Sequence, residues 1–253
     1  VLTWLTKVKK NGTFRMSADT FSTIRFKDVS CRRGSQTLVS DINLELDGGT
    51  VTGLIGPNGA GKSTFIATMV GDIKPGQGLV EFDGQSVRKL PQRSDVFGVV
   101  TESHGLPRRM TTKTIVRYWA DVHGVSRSHA HNLCKAMGVD GFYSKPIKKL
   151  STGMRRRMEI VLALLPDPAV LVLDEPFNGL DVDGVEAVRT LVRDQRDAGK
   201  IILLTTHTLT EIDQLADSLY AIHGRKLVEL DFSQGVSGAS EAAYNRLRNE
   251  VRV

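Results

Sequence analysis

Gly56-Pro57-Asn58-Gly59-Ala60-Gly61-Lys62-Ser63-Thr64 carries the sharpest chemical signal in the chain. A glycine, four residues, then Gly-Lys-Ser/Thr is the pattern in which successive backbone N–H groups turn inward and cradle phosphate oxygens. Lys62 is placed to bridge a β- and a γ-phosphate, and the Ser63 hydroxyl to meet Mg²⁺. A second site is made of acids. In Leu171-Val172-Leu173-Asp174-Glu175-Pro176 an apolar run delivers two adjacent carboxylates to its end. Asp174 can hold Mg²⁺ through water, while Glu175 faces differently and can polarise an attacking water. The two sites together describe phosphoryl transfer, which needs mainly positioning and charge stabilisation. His207, in Thr205-Thr206-His207, is a further candidate, although a lone histidine is more often structural. His129 and His131 are two apart and share no helix face.

That chemistry needs elements to hold it. Val51-Thr52-Gly53-Leu54-Ile55 reads as a strand running straight into the glycine loop, with an apolar helix over 62–70 behind it. Strand, glycine loop, helix is the context a phosphate site requires. Residues 24–29 and 42–46 alternate apolar and polar and predict half-buried antiparallel strands, turned after the second by Asp47-Gly48-Gly49. A Pro/Gly turn at 74–78 leads to another strand over 79–82. From 111 to about 165 the pattern is helical, broken near Gly124, Gly138 and Lys145-Pro146, which predicts a helical subdomain. Apolar runs at 170–173 and 201–204, with a helix over 185–197 between them, restore the alternation of a parallel sheet with crossover helices. The fold class is α/β, and residues 237–253 predict an amphipathic terminal helix.

The 253 residues hold 34 Lys plus Arg against 28 Asp plus Glu, a formal charge of +6. Composition excludes collagen-like, mostly disordered and disulfide-scaffold classes. Cys31 and Cys134 form no CxxC pair, which fits a reducing compartment. No apolar run approaches the roughly 20 residues that cross a bilayer. The segment 1–20, with apolar and basic residues in the wrong order for a secretory signal, reads as an extension.

Gly56 to Thr64, Leu150-Ser151-Thr152-Gly153-Met154, Leu171 to Pro176, Asn178-Gly179-Leu180-Asp181 and His207 occur in the order and spacing of the ATP-binding subunits of ABC transporters, which the chain resembles over about 21–227. The resemblance implies a P-loop NTPase (RecA-like) sheet, an antiparallel β subdomain and an inserted helical subdomain at about 103–165, in a cassette spanning 21–230 with a tail at 231–253. It implies ATP and Mg²⁺ as cofactors and a head-to-tail dimer, either a homodimer or a pair with a second ABC ATPase subunit. In that dimer Ser151 and Gly153 of the signature segment meet the γ-phosphate held by the opposite subunit. Asp181 links the two sites and His207 contacts the γ-phosphate. The partner implied is a separate transmembrane permease, most closely of an exporter, which would hold the chain in the cytoplasm at the inner face of the membrane.

Three segments depart from the family pattern, at four positions. Thr152 and Met154 replace the usual glycine and glutamine of Leu-Ser-Gly-Gly-Gln, a form shared by some drug and sodium exporters. Glu102 stands where a glutamine usually reaches Mg²⁺ and the attacking water. Arg33 aligns with the aromatic that usually stacks on adenine, and a guanidinium plane can stack too. The alternatives are a non-transport ABC ATPase or a weakly hydrolysing ATP sensor. The basic clusters Arg108-Arg109, 145–149 and Arg155-Arg156-Arg157 read mainly as a solvated helix face. A docking surface for a membrane partner or anionic lipid is the next reading. With no aromatics interleaved, nucleic acid is not expected.

Overall fold

A computed structural model describes residues 22–101 and 105–250. The extension expected at 1–20, Glu102 and the last residues of the tail lie outside the described residues.

The chain opens with β1 (Thr23–Arg33) and β2 (Gln36–Asp47), an antiparallel hairpin turned at Gly34. Strand β1 runs past the predicted 24–29. Its register shifts between Phe26 and Val29 and again before Cys31, with Asp28 at φ 51, so period-two alternation breaks while the strand continues. Next come β3 (Thr50–Ile55), helix α1 (Lys62–Met69), β4 (Gln77–Phe82) antiparallel to β1, the short β5 (Gln85–Ser86) and the single turn α2 (Arg93–Val96). Phe65 of α1 stacks on Phe26 of β1, ring centroids 4.9 Å apart, which fixes the loop-bearing helix to the antiparallel layer.

Strand β6 (Phe97–Val100) follows, and no strand is predicted there from sequence. It is four residues long and contains Gly98, which reads as a loop. The glycine is instead a contact point, since a Cβ there would lie 2.4 Å from the Ala163 carbonyl oxygen. Helices α3 (Thr112–Val122), α4 (Arg127–Ala136) and α5 (Thr152–Leu164) come next, capped by the Thr111, Ser126 and Ser151 hydroxyls. Then follow β7 (Val170–Asp174), α6 (Val182–Asp197), β8 (Ile201–Thr205) and α7 (Leu209–Leu215). Strands β9 (Ser218–His223) and β10 (Lys226–Leu230) form a hairpin through Gly224 and Arg225, both at positive φ, and α8 (Ala239–Glu250) ends the described chain. The hairpin is not predicted from sequence either, because Gly-Arg is a weak turn signal.

The strands join in the order β5-β4-β1-β2-β10-β9-β3-β8-β7-β6. One end is antiparallel, while β3, β8, β7 and β6 run parallel. The apolar strands β7 and β8 divide their side chains between two cores. Leu171, Leu173, Ile202 and Leu204 join α5, α6 and α7, whereas Val170, Val172, Ile201 and Leu203 join α1 and β1. A continuous apolar run is thus a two-sided strand of period two. Among the described residues no helix is long and apolar enough to cross a membrane.

Candidate active site

The parallel register sets the site. Thr205 lies opposite Leu54 on one side and Asp174 on the other, so the ends of β3, β8 and β7 form one row. At this carboxyl edge open α/β sheets bind ligands. Strand β3 enters the glycine loop at Gly56 (φ 154), and Gly59 (φ 81) and Gly61 (φ 115) carry the chain through left-handed backbone that a side chain resists. Gly61 also needs its bareness, because a Cβ would lie 3.1 Å from Leu38 and Val39 of β2. The Lys62 ammonium donates to the Gly56 carbonyl oxygen at 2.6 Å and to that of Pro57 at 3.4 Å, which spans the loop's mouth. Ser63 is exposed in the first turn of α1 and Thr64 is buried. Pro57, Asn58 and Gly59 form the open crest, with Ala60 folded back through its N–H to the Pro57 carbonyl at 3.1 Å.

Across the row, Asp174 is buried and accepts a hydrogen bond from the Thr205 hydroxyl through Oδ1. Glu175 leaves the strand in left-handed backbone, φ 52, a conformation costing about 1–3 kcal/mol in a non-glycine residue. Its N–H donates to the Thr205 carbonyl at 3.0 Å, and this turn carries its carboxylate to His207. Glu175 Oε2 sits 2.8 Å from His207 Nδ1 and accepts from the His207 N–H at 3.3 Å. The imidazole is 70% exposed and the Glu175 side chain only 12%, so the histidine faces outward while the acid is held beneath it. Strand β6 brings Val100 level with Leu173, so the chain reaches residue 101 beside Asp174.

Among the described residues no hydrogen bond or ion pair joins the signature segment to the glycine loop. Ser151 caps α5, its Oγ accepting from the Met154 N–H at 3.2 Å. Gly153 lies against Gly179, and a Cβ there would be 2.3 Å from the Gly179 carbonyl oxygen. Asp181 caps α6 through the Gly184 N–H and pairs with Arg157. The Gly184 hydrogen bond and the Arg157 charge hold its carboxyl below the usual carboxylate range. Arg33 is exposed at the tip of the β1–β2 hairpin, opposite Gln36.

The run Arg155-Arg156-Arg157 does not form one solvated face, contrary to the reading from sequence. Successive helical residues point about 100° apart, so Arg155 is exposed, Arg157 meets Asp181, and Arg156 is buried. Arg156 donates to the Thr101 carbonyl at 3.2 Å and lies 3.6 Å from Glu159, whose carboxyl is pushed up to about 7 by burial, against the pull of Arg156 and Arg155. Thr205, Arg156 and Arg157 are site neighbours that sequence reasoning missed. The hydroxyl ending a buried apolar strand was the one visible sign of the first.

Among the described residues no three His, Cys, Asp or Glu side chains converge on a metal position. Among the described residues, the Ser63 hydroxyl and the carboxylates of Asp174 and Glu175 are the hard oxygens carried by the glycine loop's helix and the end of β7. Hard oxygen donors suit Mg²⁺, which keeps much of its hydration shell, and would not suit zinc.

A glycine loop at the end of β3, an acid pair at the end of β7 and a histidine after β8 define a P-loop nucleoside triphosphatase. The sequence profile of the ABC transporter family matches residues 39–178, more than half of the chain. The lantibiotic transport ATP-binding protein SrtF of Streptococcus pyogenes is 28% identical over 229 residues, covering 90% of this chain and 99% of that protein. The Nod factor export ATP-binding protein I of Burkholderia lata is 34% identical over 215 residues, covering 81% and 70%. A solved structure of the ATP binding subunit of an ABC transporter superposes with a TM-score of 0.78 at 28% identity, covering 91% of this chain and 99% of the other. A profile for the AAA domain, putative AbiEii toxin, Type IV TA system, also matches residues 145–213. The chain belongs to the ABC transporter family, as an ATP-binding subunit that hydrolyses ATP to power transport.

Proposed function

We propose that two such subunits, identical or paired with a second ABC ATPase, close head to tail around two Mg-ATP molecules and drive a separate transmembrane permease in the direction of export. The permease would hold the chain at the inner face of the membrane. The observation that carries the reading is the row Leu54, Thr205, Asp174, in which only β8 separates the strand leading to the glycine loop from the strand ending in an acid pair whose second member is 2.8 Å from His207. Export is supported by a relative's name, Nod factor export. The cassette is assigned to 21–230 with its helical subdomain at 103–165, between the extension at 1–20 and the tail at 231–253.

The roles follow from position. Backbone N–H groups of residues 56–64 and the N-terminal dipole of α1 hold the phosphates, and Lys62 exchanges its bonds to Gly56 and Pro57 for phosphate oxygens. Ser63 and Asp174 hold Mg²⁺, with Glu102 as an additional ligand. When bound, the ion supplies charge neutralisation at the β- and γ-phosphates. Glu175 polarises the attacking water, and His207, on the solvent side of that carboxylate, orients it and contacts the γ-phosphate. Ser151 and Gly153 present the start of α5 to the phosphate of the opposite subunit, Asp181 links the two sites, and Arg33 stacks on adenine.

The test is Glu175→Gln. Loss of the polarising carboxylate should cut ATP turnover about 10²–10⁴-fold and leave equilibrium ATP binding intact, measured by phosphate release and nucleotide titration. Unchanged turnover would remove Glu175 from its role. Copurification with a polytopic membrane protein from solubilised membranes checks the permease.

A further inference from the structure

We infer that Thr205 is a positioning residue for the acid pair: its hydroxyl sets the Asp174 carboxylate for the metal ion and steadies the turn that aims Glu175. This rests on the reading of Asp174 as a Mg²⁺ ligand, and it gives a role to a residue that the phosphate, signature and histidine motifs leave unassigned.

Strand β8 is Ile201-Ile202-Leu203-Leu204-Thr205, so its one polar side chain stands in the row where Asp174 and Leu54 lie to either side. Thr205 is fully buried, at 0% exposure. A hydroxyl so placed costs free energy unless its bonds are made, and valine would fill the same volume without that cost. The bonds it makes both go to the acid pair. Its single proton is donated to Asp174 Oδ1, and its oxygen accepts from the Glu175 N–H at 3.3 Å, the same N–H that meets the Thr205 carbonyl at 3.0 Å.

Each bond has a consequence. The donated proton fixes the rotation of the Asp174 carboxylate, because an oxygen that accepts from a rigid strand cannot swing about the Cβ–Cγ bond. A ligating carboxylate held by such a neighbour binds its ion more tightly, and removing the neighbour typically costs 10–100-fold in metal affinity. The accepted N–H adds a second acceptor to the Thr205 carbonyl in holding the Glu175 peptide in its left-handed turn, φ 52, from which the carboxylate reaches His207. One buried hydroxyl therefore couples the orientation of the metal-binding acid to that of the water-polarising acid.

The experiment compares Thr205→Val, which deletes the hydroxyl at constant shape, with Thr205→Ser, which keeps it. ATP binding is titrated at equilibrium in excess EDTA and across a series of Mg²⁺ concentrations, with no turnover needed. Thr205→Val should bind ATP in EDTA as the parent does and require 10–100-fold more Mg²⁺ to reach the tight state. Thr205→Ser should restore the parental Mg²⁺ requirement. If Thr205→Val is poorly folded by thermal melting, Thr205→Ala is read in its place with the same expectations. A parental Mg²⁺ requirement in the hydroxyl-less variant overturns the inference, as does an equal loss in Thr205→Ser or an equal loss of binding in EDTA. Parental protein whose ATP binding ignores Mg²⁺ would instead sink the metal reading of Asp174, and this inference with it.

Discussion

Helix α1 begins at Gly61, in left-handed backbone (φ 115, ψ 7) with no side chain to cap it, whereas α5 begins at Ser151, in extended backbone (φ −64, ψ 166) with its Oγ accepting from the Met154 N–H. The first N–H groups of any helix lack partners within it. At α1 no capping side chain takes them, because a cap needs the extended backbone that Gly61 does not adopt, and in the proposed function they meet phosphate. At α5 the start is already engaged by its own chain. Ser151 caps it, Gly153 lies on Gly179, Arg157 meets Asp181 and Arg156 meets Thr101. One helix start is left uncapped; the other is capped and tied to the loop after the acid pair and to the end of β6. In the proposed head-to-tail dimer, a signature segment anchored in this way would tie those loops to the nucleotide site of the opposite subunit.

The sharpest way to break this contrast is Gly61→Ala. An L-residue at φ 115 is strained, and its Cβ would press on Leu38 and Val39 at 3.1 Å. The crest of the loop, where a Cβ on Gly59 would meet nothing within 4 Å, is free to give way. The loop should relieve the strain by opening, so that its N–H groups no longer converge. ATP affinity should fall about 100-fold, which is roughly 2.7 kcal/mol, with a small change in the urea midpoint. Parental affinity in this variant would mean that the bare, left-handed Gly61 is not what opens the start of α1.

Sequence reading went furthest where the signal is local. The glycine spacing at 56–64, the strand before it and the acids ending an apolar run each lie within one stretch of chain, and the α/β class followed from them. Reading failed where meaning depends on a distant neighbour. Gly98 resembles a loop residue until α5 is placed 2.4 Å from its missing Cβ. Thr205 resembles a strand-end threonine until Asp174, 31 residues earlier, is set beside it. Arg156 resembles its charged neighbours until helical geometry turns it inward. Packing partners that are remote in sequence leave no periodic trace.

The second test loosens the anchoring of α5. Glu159 is buried one turn after Arg156, and its carboxyl is pushed up to about 7 from an ordinary 4.5. Its folded form therefore holds a proton more tightly than the unfolded chain does. That stability is fully present below pH 4.5 and is lost as pH rises through 7. Between pH 5 and 8 the unfolding free energy should fall by about 2 kcal/mol from this group. Glu159→Gln, neutral throughout, should flatten that decline, as read from urea unfolding at several pH values. A pH profile identical in the two proteins would show that the anchor does not depend on the proton.

The smallest expected effect falls on the cap itself. Ser151→Ala deletes one accepted N–H bond and should cost about 1 kcal/mol of stability, measured by urea unfolding. The contrast between the two helix starts makes a finer claim about this residue. A hydroxyl that accepts from the Met154 N–H still has its own proton to donate, so Ser151 can cap α5 and offer a hydrogen bond to an incoming phosphate at the same time. Aspartate caps as well as serine but carries no proton and adds a negative charge. Ser151→Asp should thus recover the stability that Ser151→Ala loses, while ATP turnover in both stays about tenfold or more below the parent, the worth of one hydrogen bond to a charged group. Turnover restored together with stability in Ser151→Asp would reduce Ser151 to a cap alone, and the phosphate contact would then fall to the backbone N–H groups at the start of α5.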